Sequence, residues 1–408
     1  MSDAAAAALA DVVRTEGRRV LATLVRTTGD LALAEDAVQD AVLSALERWP
    51  VDGVPREPRA WLTTVARRKA IDRVRRDANR TGKEAIMNEL LVPEPEPNAS
   101  VVRDDQLRLV FTCCHPALAL DTQITLSLTT LCGLTAADTA RLMLVSEAAM
   151  ARRLTRAKGK IATAGIPYRI PDAAELPSRL DGVTTTVYLL FTSGVSSGQV
   201  GPQSRLCDEA LRLARLLLEL MPDESSVQGL LALLLLTDAR RSTRVDAAGD
   251  LVPLADQDRS QWDRAMIDEG LDLVQRALRR SRHRAGRFEL QAAIAACHAS
   301  AETFEQTDWA DIVALYDLLL TVEPTDVVRL NRAVAVGERD GPQAGLAALD
   351  DVGGLARFHL WHTCRAELLD RLGRAEESVE AFRRALDCDP PAAVTRRIRR
   401  RIDEIAPA

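Results

Sequence analysis

The sequence is poor in aromatic residues and contains no convincing run of alternating β-branched residues. Aromatic residues make up 3% of the 408 residues, while alanine, leucine and arginine are abundant. Strands favour β-branched and aromatic side chains, whereas alanine, leucine and arginine are good helix formers. The composition therefore predicts an all-α fold, and the length predicts two to four domains.

Paired cysteine motifs are also missing. The seven cysteines are odd in number and no two are spaced as CxxC, which indicates reduced thiols in a cytoplasmic protein. The adjacent Cys113 and Cys114 would point about 100° apart on a helix, which favours buried apolar packing over metal binding. A looser group, His359, His362 and Cys364, lacks the further ligand that zinc usually needs. We therefore expect neither a metal nor a cofactor.

The sequence offers no membrane segment and no catalytic motif. The longest apolar run, residues 230–236, is far shorter than the roughly 20 residues that span a bilayer. The N-terminus lacks the basic segment and apolar core of a signal peptide. A Gly-rich phosphate loop, a nucleophile elbow and a metal-ligand set are absent too. We expect a cytoplasmic protein that is not an enzyme and does not bind membranes.

Positive charge is lacking in the chain as a whole but is concentrated locally. The net charge is −6, yet residues 1–170 hold 24 Lys and Arg against 21 Asp and Glu, a balance of +3, and the remainder holds 29 against 38, a balance of −9. Residues 56–83 contain ten basic and three acidic side chains, and residues 141–160 contain six and one. Local patches of this kind attract phosphates, so the sequence predicts nucleic-acid contacts in the first 170 residues.

The first basic segment, WLTTVARRKAIDRVRR at 61–76, predicts a helix with one cationic face. The residues proposed to contact nucleic acid are Arg67, Arg68, Asp72, Arg75 and Arg76. The apolar residues that fall mainly on the other face are Leu62, Val65, Ile71 and Val74. Guanidinium groups on one face can hold phosphates and reach unpaired bases. A solvated arginine-rich surface is the alternative for this helix taken alone.

The second basic segment follows a helix-and-turn pattern. LTAADTARLMLV at 134–145 leads into SEAAMARRLTRAKGKI at 146–161, with Thr135 and Ser146 as helix caps. The pattern predicts a helix-turn-helix whose second helix reads duplex DNA, because arginine paired with guanine is the commonest specific major-groove contact. The candidate contacts are Ser146, Glu147, Ala149, Arg152, Arg153 and Arg156.

An acidic patch precedes both basic helices. Asp30 is a plausible cap for a helix whose first turns carry Glu35, Asp36, Gln39 and Asp40, and Trp49-Pro50 should end that helix. The patch alone indicates only a polar helix face.

The C-terminal half shows weak internal repeats. Helix-like segments close at Pro222, Pro324 and Pro390, which are 102 and 66 residues apart, close to multiples of the 34-residue tetratricopeptide repeat. A generic helical bundle is the alternative. The segment Asp256-Gln257-Asp258-Arg259 is followed by Trp262. We expect a structural role for it, in which Arg259 pairs with nearby carboxylates and Trp262 packs into the array.

Together these segments resemble a known group of transcription proteins. EDAVQDA at 35–41, ERW at 47–49 and the first basic helix are similar to domain two of the extracytoplasmic-function (ECF) sigma factors. The helix-turn-helix segment is similar to their domain four. CCHPAL at 113–118 and the repeat-bearing tail resemble the subgroup with a C-terminal tetratricopeptide-like domain.

The resemblance implies four segments: sigma domain two at 1–86, a Pro/Glu linker at 87–103, helix-turn-helix domain four at 104–170 and a tetratricopeptide-like domain at 171–408. It also implies partners, namely core RNA polymerase, through the β′ clamp helices and the β flap, and promoter DNA. The acidic patch would dock on the clamp helices, the first basic helix would hold the melted minus-ten element, and the second would read the minus-thirty-five element. The C-terminal domain would regulate through a protein partner or an intramolecular contact.

Two other functions stay open at this point. A one-component helix-turn-helix regulator with a helical-repeat sensor domain would explain the second basic helix but would leave the first helix and the acidic patch without a role. A repeat scaffold without transcriptional function would leave both basic helices and the acidic patch without a role.

Overall fold

The chain folds into helices in a computed structural model that describes residues 3–81, 104–131, 134–164, 173–196, 204–247, 249–281 and 284–405. Across these ranges the β structure consists of a single bridge between Val245 and Leu251, so the predicted all-α class is confirmed. The predicted linker, 87–103, lies outside the described residues.

The chain divides into two compact units, residues 1–186 and 187–408. The helices of the N-terminal unit are α1 Asp3–Thr28, α2 Leu31–Asp52, α3 Pro58–Thr81, α4 Asp105–Cys113, α5 Leu120–Leu126, α6 Ala136–Leu142 and α7 Glu147–Ala164. Helix α8, Leu176–Ser196, begins in this unit and ends in the next. The C-terminal unit contains α9 Ser204–Leu220, α10 Ser225–Asp238, α11 Arg264–Arg280, α12 Arg287–Ser300, α13 Trp309–Val322, α14 Asp326–Arg339, α15 Pro342–Asp350, α16 His359–Arg371, α17 Ala375–Leu386 and α18 Ala392–Ile405.

Helices α1, α2 and α3 pack against one another. Asp30 caps α2 by accepting a hydrogen bond from the Leu33 N–H, as predicted. The expected stop at Trp49-Pro50 falls two residues short of the observed end. Helix α2 continues to Asp52 with Pro50 inside it and is capped by Gly53, whose φ of +83° is accessible to glycine. A proline in the last turn removes only one helical hydrogen bond, so the helix tolerates it.

Helix α1 also packs against α4, which the sequence assigned to a separate domain. The start of α8 joins the same unit: Arg179 donates to the Phe111 carbonyl at 3.1 Å, and Gly182 lies directly against Gln123. The first turns of α8 therefore pack with the helices that precede them. The domain boundary at 170 stays a prediction, because residues 165–172 lie outside the described residues.

The C-terminal unit is a run of helices in which each helix from α9 to α18 packs against the next. Close contact between α14 and α15 depends on glycine: a Cβ added to Gly345 would lie 2.7 Å from the Gly337 Cα. One apolar cluster lies between α14 and α18, with Phe382 fully buried in it, and another joins α12, α13 and α14.

Candidate nucleic-acid interface

Helix α3 presents a cationic face to solvent. The exposed residues are the five that the sequence proposed, Arg67, Arg68, Asp72, Arg75 and Arg76. The buried row consists of Leu62, Ala66 and Ala70, each at most 1% exposed. The predicted apolar face was only partly right: Leu62 is buried, but Val65, Ile71 and Val74 are half-buried. Small alanine side chains let neighbouring helices approach closely, and this shifts the buried row toward Ala66 and Ala70.

The predicted acidic residues lie on α2, and one of them contacts α3. Gln39 is exposed, and Glu35, Asp36 and Asp40 are half-buried. Asp36 forms an ion pair with Arg73 of α3, with 2.9 Å between Oδ2 and Nη2. The acidic patch and the basic helix therefore belong to one group of packed helices.

Two exposed leucines extend this acidic face along α2. Leu43 is 57% exposed and Leu46 is 42% exposed, and they follow Gln39 at spacings of four and seven, so they share its side of the helix. Sequence analysis missed them because leucine in an amphipathic helix is ordinarily assigned to the core. Their spacing from Gln39 is the signal that could have identified them.

Helices α6 and α7 are joined by a tight turn. The Thr135 hydroxyl caps α6, and the Ser146 hydroxyl accepts from the backbone of the first turn of α7 at 3.2 Å, so both predicted caps are confirmed. Leu144 has a φ of +52°, a left-handed conformation that reverses the chain between the helices. Met150 and Ala157 anchor α7, at 0% and 1% exposure.

The outer face of α7 carries Arg152 and Arg156, both exposed. Arg153 differs: its side chain is 22% exposed, Nη2 lies 3.3 Å from an Asp121 carboxylate oxygen, and Nη1 contacts the Met143 sulfur. The structure thus places Arg153 against the body of the unit rather than beside the other two arginines. Of the remaining candidates on this segment, two are exposed and one is half-buried, namely Ser146, Glu147 and Ala149.

The exposed arginines carry uncompensated charge. Six exposed candidate arginines form no ion pair with a carboxylate anywhere in the described ranges, in contrast to Arg59 of α3, which pairs with Glu16. They are Arg67, Arg68, Arg75, Arg76, Arg152 and Arg156. The Nε atoms of Arg76 and Arg156 donate to backbone carbonyls one turn earlier, at 3.2 and 3.3 Å. The exposed guanidinium groups nevertheless have no acidic partner, so they can bind phosphate oxygens or base edges.

The cysteine pair is structural. Cys113 and Cys114 are buried, as predicted, and burial raises the pKa of the Cys114 thiol to about 12. A protonated, enclosed thiol is a poor metal ligand. Over the part of the chain that the structure describes, no three His, Cys, Asp or Glu side chains converge on a metal position.

Arg259 in the C-terminal unit binds backbone rather than acid. Its Nη1 donates to the carbonyls of His298 and Ala301, at 2.6 and 2.8 Å, and its guanidinium lies 4.7 Å from the centre of the Trp262 ring. The prediction of carboxylate partners is therefore wrong, whereas the predicted packing of Trp262 is confirmed by its 5% exposure.

Comparison with known proteins identifies two family segments. Residues 12–80, which span most of α1 to α3, match the model of Sigma-70 region 2. Residues 179–278 match a family of unknown function, DUF6596. No helix in the described residues is long and apolar enough to cross a membrane.

Two relatives cover different shares of the chain. The ECF RNA polymerase sigma factor SigJ of Mycobacterium tuberculosis is 34% identical over 150 residues, which is 35% of this chain and 46% of SigJ. The uncharacterized protein R00370 of Rhizobium meliloti is 45% identical over 397 residues, 95% of this chain and 93% of the relative. The sigma-factor family is non-enzymatic. This chain belongs to the same family as R00370, and its Sigma-70 region 2 with its likeness to SigJ supports a sigma-factor role.

Proposed function

We propose that this protein is an ECF-type sigma factor of the cytoplasm that brings core RNA polymerase to a subset of promoters. The observation that carries the proposal is the coincidence of Sigma-70 region 2 with helices α1 to α3, where a cationic face on α3 adjoins an acidic face on α2.

The face of α2 is the proposed docking surface for the clamp helices of the polymerase β′ subunit. It combines the carboxylates of Glu35, Asp36 and Asp40 with two exposed leucines. Exposed apolar side chains bordered by charge are typical of protein-binding surfaces. The carboxylates favour a basic partner and raise its association rate, while Leu43 and Leu46 supply the apolar surface that is buried from water on binding.

The face of α3 is the proposed site for the melted minus-ten element. Single-stranded DNA exposes both its phosphates and the polar edges of its bases. Arg67, Arg68, Arg75 and Arg76 supply donors to both, and Asp72 is an acceptor that can bind a base amino group or fix an arginine rotamer. Because α2 packs directly on α3, the relative placement of this face and the docking surface follows from the packing of the two helices.

Helices α6 and α7 are the proposed helix-turn-helix for the minus-thirty-five element. Arg152 and Arg156 are one helical turn apart and both exposed, so they can enter one major groove together. Arg153 would instead hold α7 on the unit through Asp121. Contact of this region with the polymerase β flap belongs to the same proposal.

The C-terminal unit is the proposed regulatory part, with a tetratricopeptide-like architecture. Its successive helix pairs and its excess of acidic residues suit contact with a protein partner or with the basic helices of the same chain. Run-off transcription by residues 1–186 and by the full chain tests this: equal output and equal response to cell extract would exclude regulation, provided that circular dichroism shows residues 1–186 to be folded.

Binding of the purified full chain to core polymerase without DNA tests the main proposal. A sigma factor should bind core polymerase and then support promoter-dependent run-off transcription. A one-component regulator should bind duplex DNA tightly by itself and leave core polymerase unbound. A repeat scaffold should do neither, and the variants Arg152→Ala and Arg75→Ala would then not alter promoter use.

A further inference from the structure

Three arginines and a histidine lie near one another in the C-terminal unit. Arg240 follows α10, Arg244 follows the next short turn, Arg259 lies in the turn before α11, and His298 is on α12. Arg240 lies within electrostatic range of Arg244, Arg259 and His298, and Arg259 touches the His298 backbone directly. All three arginines fall within the segment that matches the family of unknown function.

These arginines lack acidic partners. In the described part of the chain none of them forms an ion pair with a carboxylate, whereas the adjacent Arg241 binds both Asp208 and Asp238 at 2.7 Å. Arg240 has only the Gln257 amide oxygen, at 3.5 Å. Burial lowers the pKa of Arg244, and the charge of Asp238 offsets this in part. Asp238 therefore binds Arg241 directly and reaches the cluster only at longer range.

Polar atoms in the cluster are buried without a hydrogen-bond partner. They are the Arg259 Nη2, the Arg244 Nε and the His298 Nδ1, and Arg259 as a whole is only 8% exposed. Buried donors are nearly always satisfied in folded proteins, so three orphans in one cluster need an explanation.

The cluster is electrostatically unfavourable as it stands. Burial, with the charges of Arg244 and Arg259, lowers the pKa of Arg240 to about 9. Burial, with the charges of Arg240 and Arg259, lowers the pKa of His298 to about 4. Burial also lowers the pKa of Arg259, and the exposed Glu305 offsets that only in part. Enclosed like charges are costly unless an opposite charge neutralises them.

We infer that Arg240, Arg244 and Arg259 form a binding site for the phosphoryl group of a small molecule. Guanidinium groups bind oxyanions through paired hydrogen bonds, and a phosphoryl dianion matches three positive charges better than a single carboxylate does. Neutral His298 can add a hydrogen bond through Nδ1. This inference goes beyond the proposed function and does not depend on it, because ligand binding can be measured without polymerase or DNA.

Phosphate titration of the full-length protein tests the inference. Thermal unfolding and calorimetry are followed with inorganic phosphate, with acetate and with chloride at constant ionic strength, so that screening is separated from binding. Phosphate should raise the midpoint of unfolding in a saturable way, as expected for a ligand of the native state. Acetate and chloride should not. A midpoint that follows ionic strength alone would overturn the inference.

The variant Arg240→Met separates a ligand-binding arginine from a structural one. Removing an unpaired buried charge should raise the unfolding midpoint without phosphate, while the affinity for phosphate falls at least tenfold. A lower midpoint combined with an unchanged phosphate response would show that Arg240 is structural. Arg276→Met is the matched control, because Arg276 is an exposed arginine of the same unit that pairs with Asp272; it should leave the phosphate response intact.

The nearby Glu305 is the competing anion, and Glu305→Gln tests it. If the site takes an external phosphoryl group, this variant should bind phosphate at least as tightly as the parent chain. If phosphate stabilises the variant only, Glu305 itself occupies the cluster and the inference fails.

Discussion

The acidic face of α2 is tested most sharply at Asp36, because its partner Arg73 provides a matched control. The two side chains form one ion pair, so replacing either residue with alanine breaks the same contact. Only Asp36 belongs to the proposed docking surface. The proposal therefore predicts that Asp36→Ala weakens binding to core polymerase and that Arg73→Ala does not.

The structure fixes the expected magnitudes. The pair is exposed at both ends, 43% for Arg73 and 47% for Asp36, and exposed pairs contribute about 0–1 kcal/mol. Each substitution should thus lower the free energy of unfolding by no more than about 1 kcal/mol. A hydrogen bond to a charged group is worth about 1.5–3 kcal/mol, so Asp36→Ala should weaken polymerase binding by roughly tenfold to a hundredfold.

The assay is equilibrium binding of labelled full-length variants to core polymerase without DNA, with urea unfolding run in parallel. Arg73→Ala should bind within about twofold of the parent chain, because it leaves the carboxylate in place and exposed. Equal losses in the two variants would mean that the ion pair acts through folding. If neither variant loses affinity, the acidic face is not the docking surface and the reasoning is refuted.

Three further predictions concern stability and DNA binding. Arg152→Ala should weaken binding to promoter duplex by about 1–3 kcal/mol without altering the unfolding midpoint, whereas Arg153→Ala should lower that midpoint. Band-shift assays measure the DNA affinity and calorimetry measures the midpoint. An equal loss of DNA affinity in the two variants would contradict their different placements. The pKa of His298 is about 4 in the folded protein against an ordinary 6.5, so on acidification the unfolded chain binds the proton first, and the free energy of unfolding should fall by an amount of order 3 kcal/mol between about pH 6.5 and 4. Urea unfolding at several pH values should show a weaker pH dependence of that free energy in His298→Gln. An unchanged pH dependence would exclude this histidine as the source. Gly345→Ala should destabilise the C-terminal unit by about 1–3 kcal/mol, despite the higher helix propensity of alanine, since the new Cβ meets the Gly337 backbone; a raised midpoint in thermal unfolding would refute the close contact.

Local sequence signals determined the helices and several of their ends. Capping side chains act on backbone groups two or three residues away, so Asp30, Thr135 and Ser146 could be assigned as caps from the sequence alone. Helical periodicity likewise placed the arginines of α3 on one exposed face. These features depend on neighbours within a turn or two, which the sequence displays directly.

Tertiary structure alone decided which charged side chains remain available. Arg152 and Arg153 are adjacent and chemically identical in the sequence, yet only Arg153 meets Asp121 on another helix. The partners of Arg259 are backbone carbonyls 39 and 42 residues away. No periodic pattern encodes such contacts, because they arise when packed helices bring distant groups together. The sequence by itself therefore determined the helical class and the basic helices, whereas packing determined which arginines face solvent and which are buried without an acid.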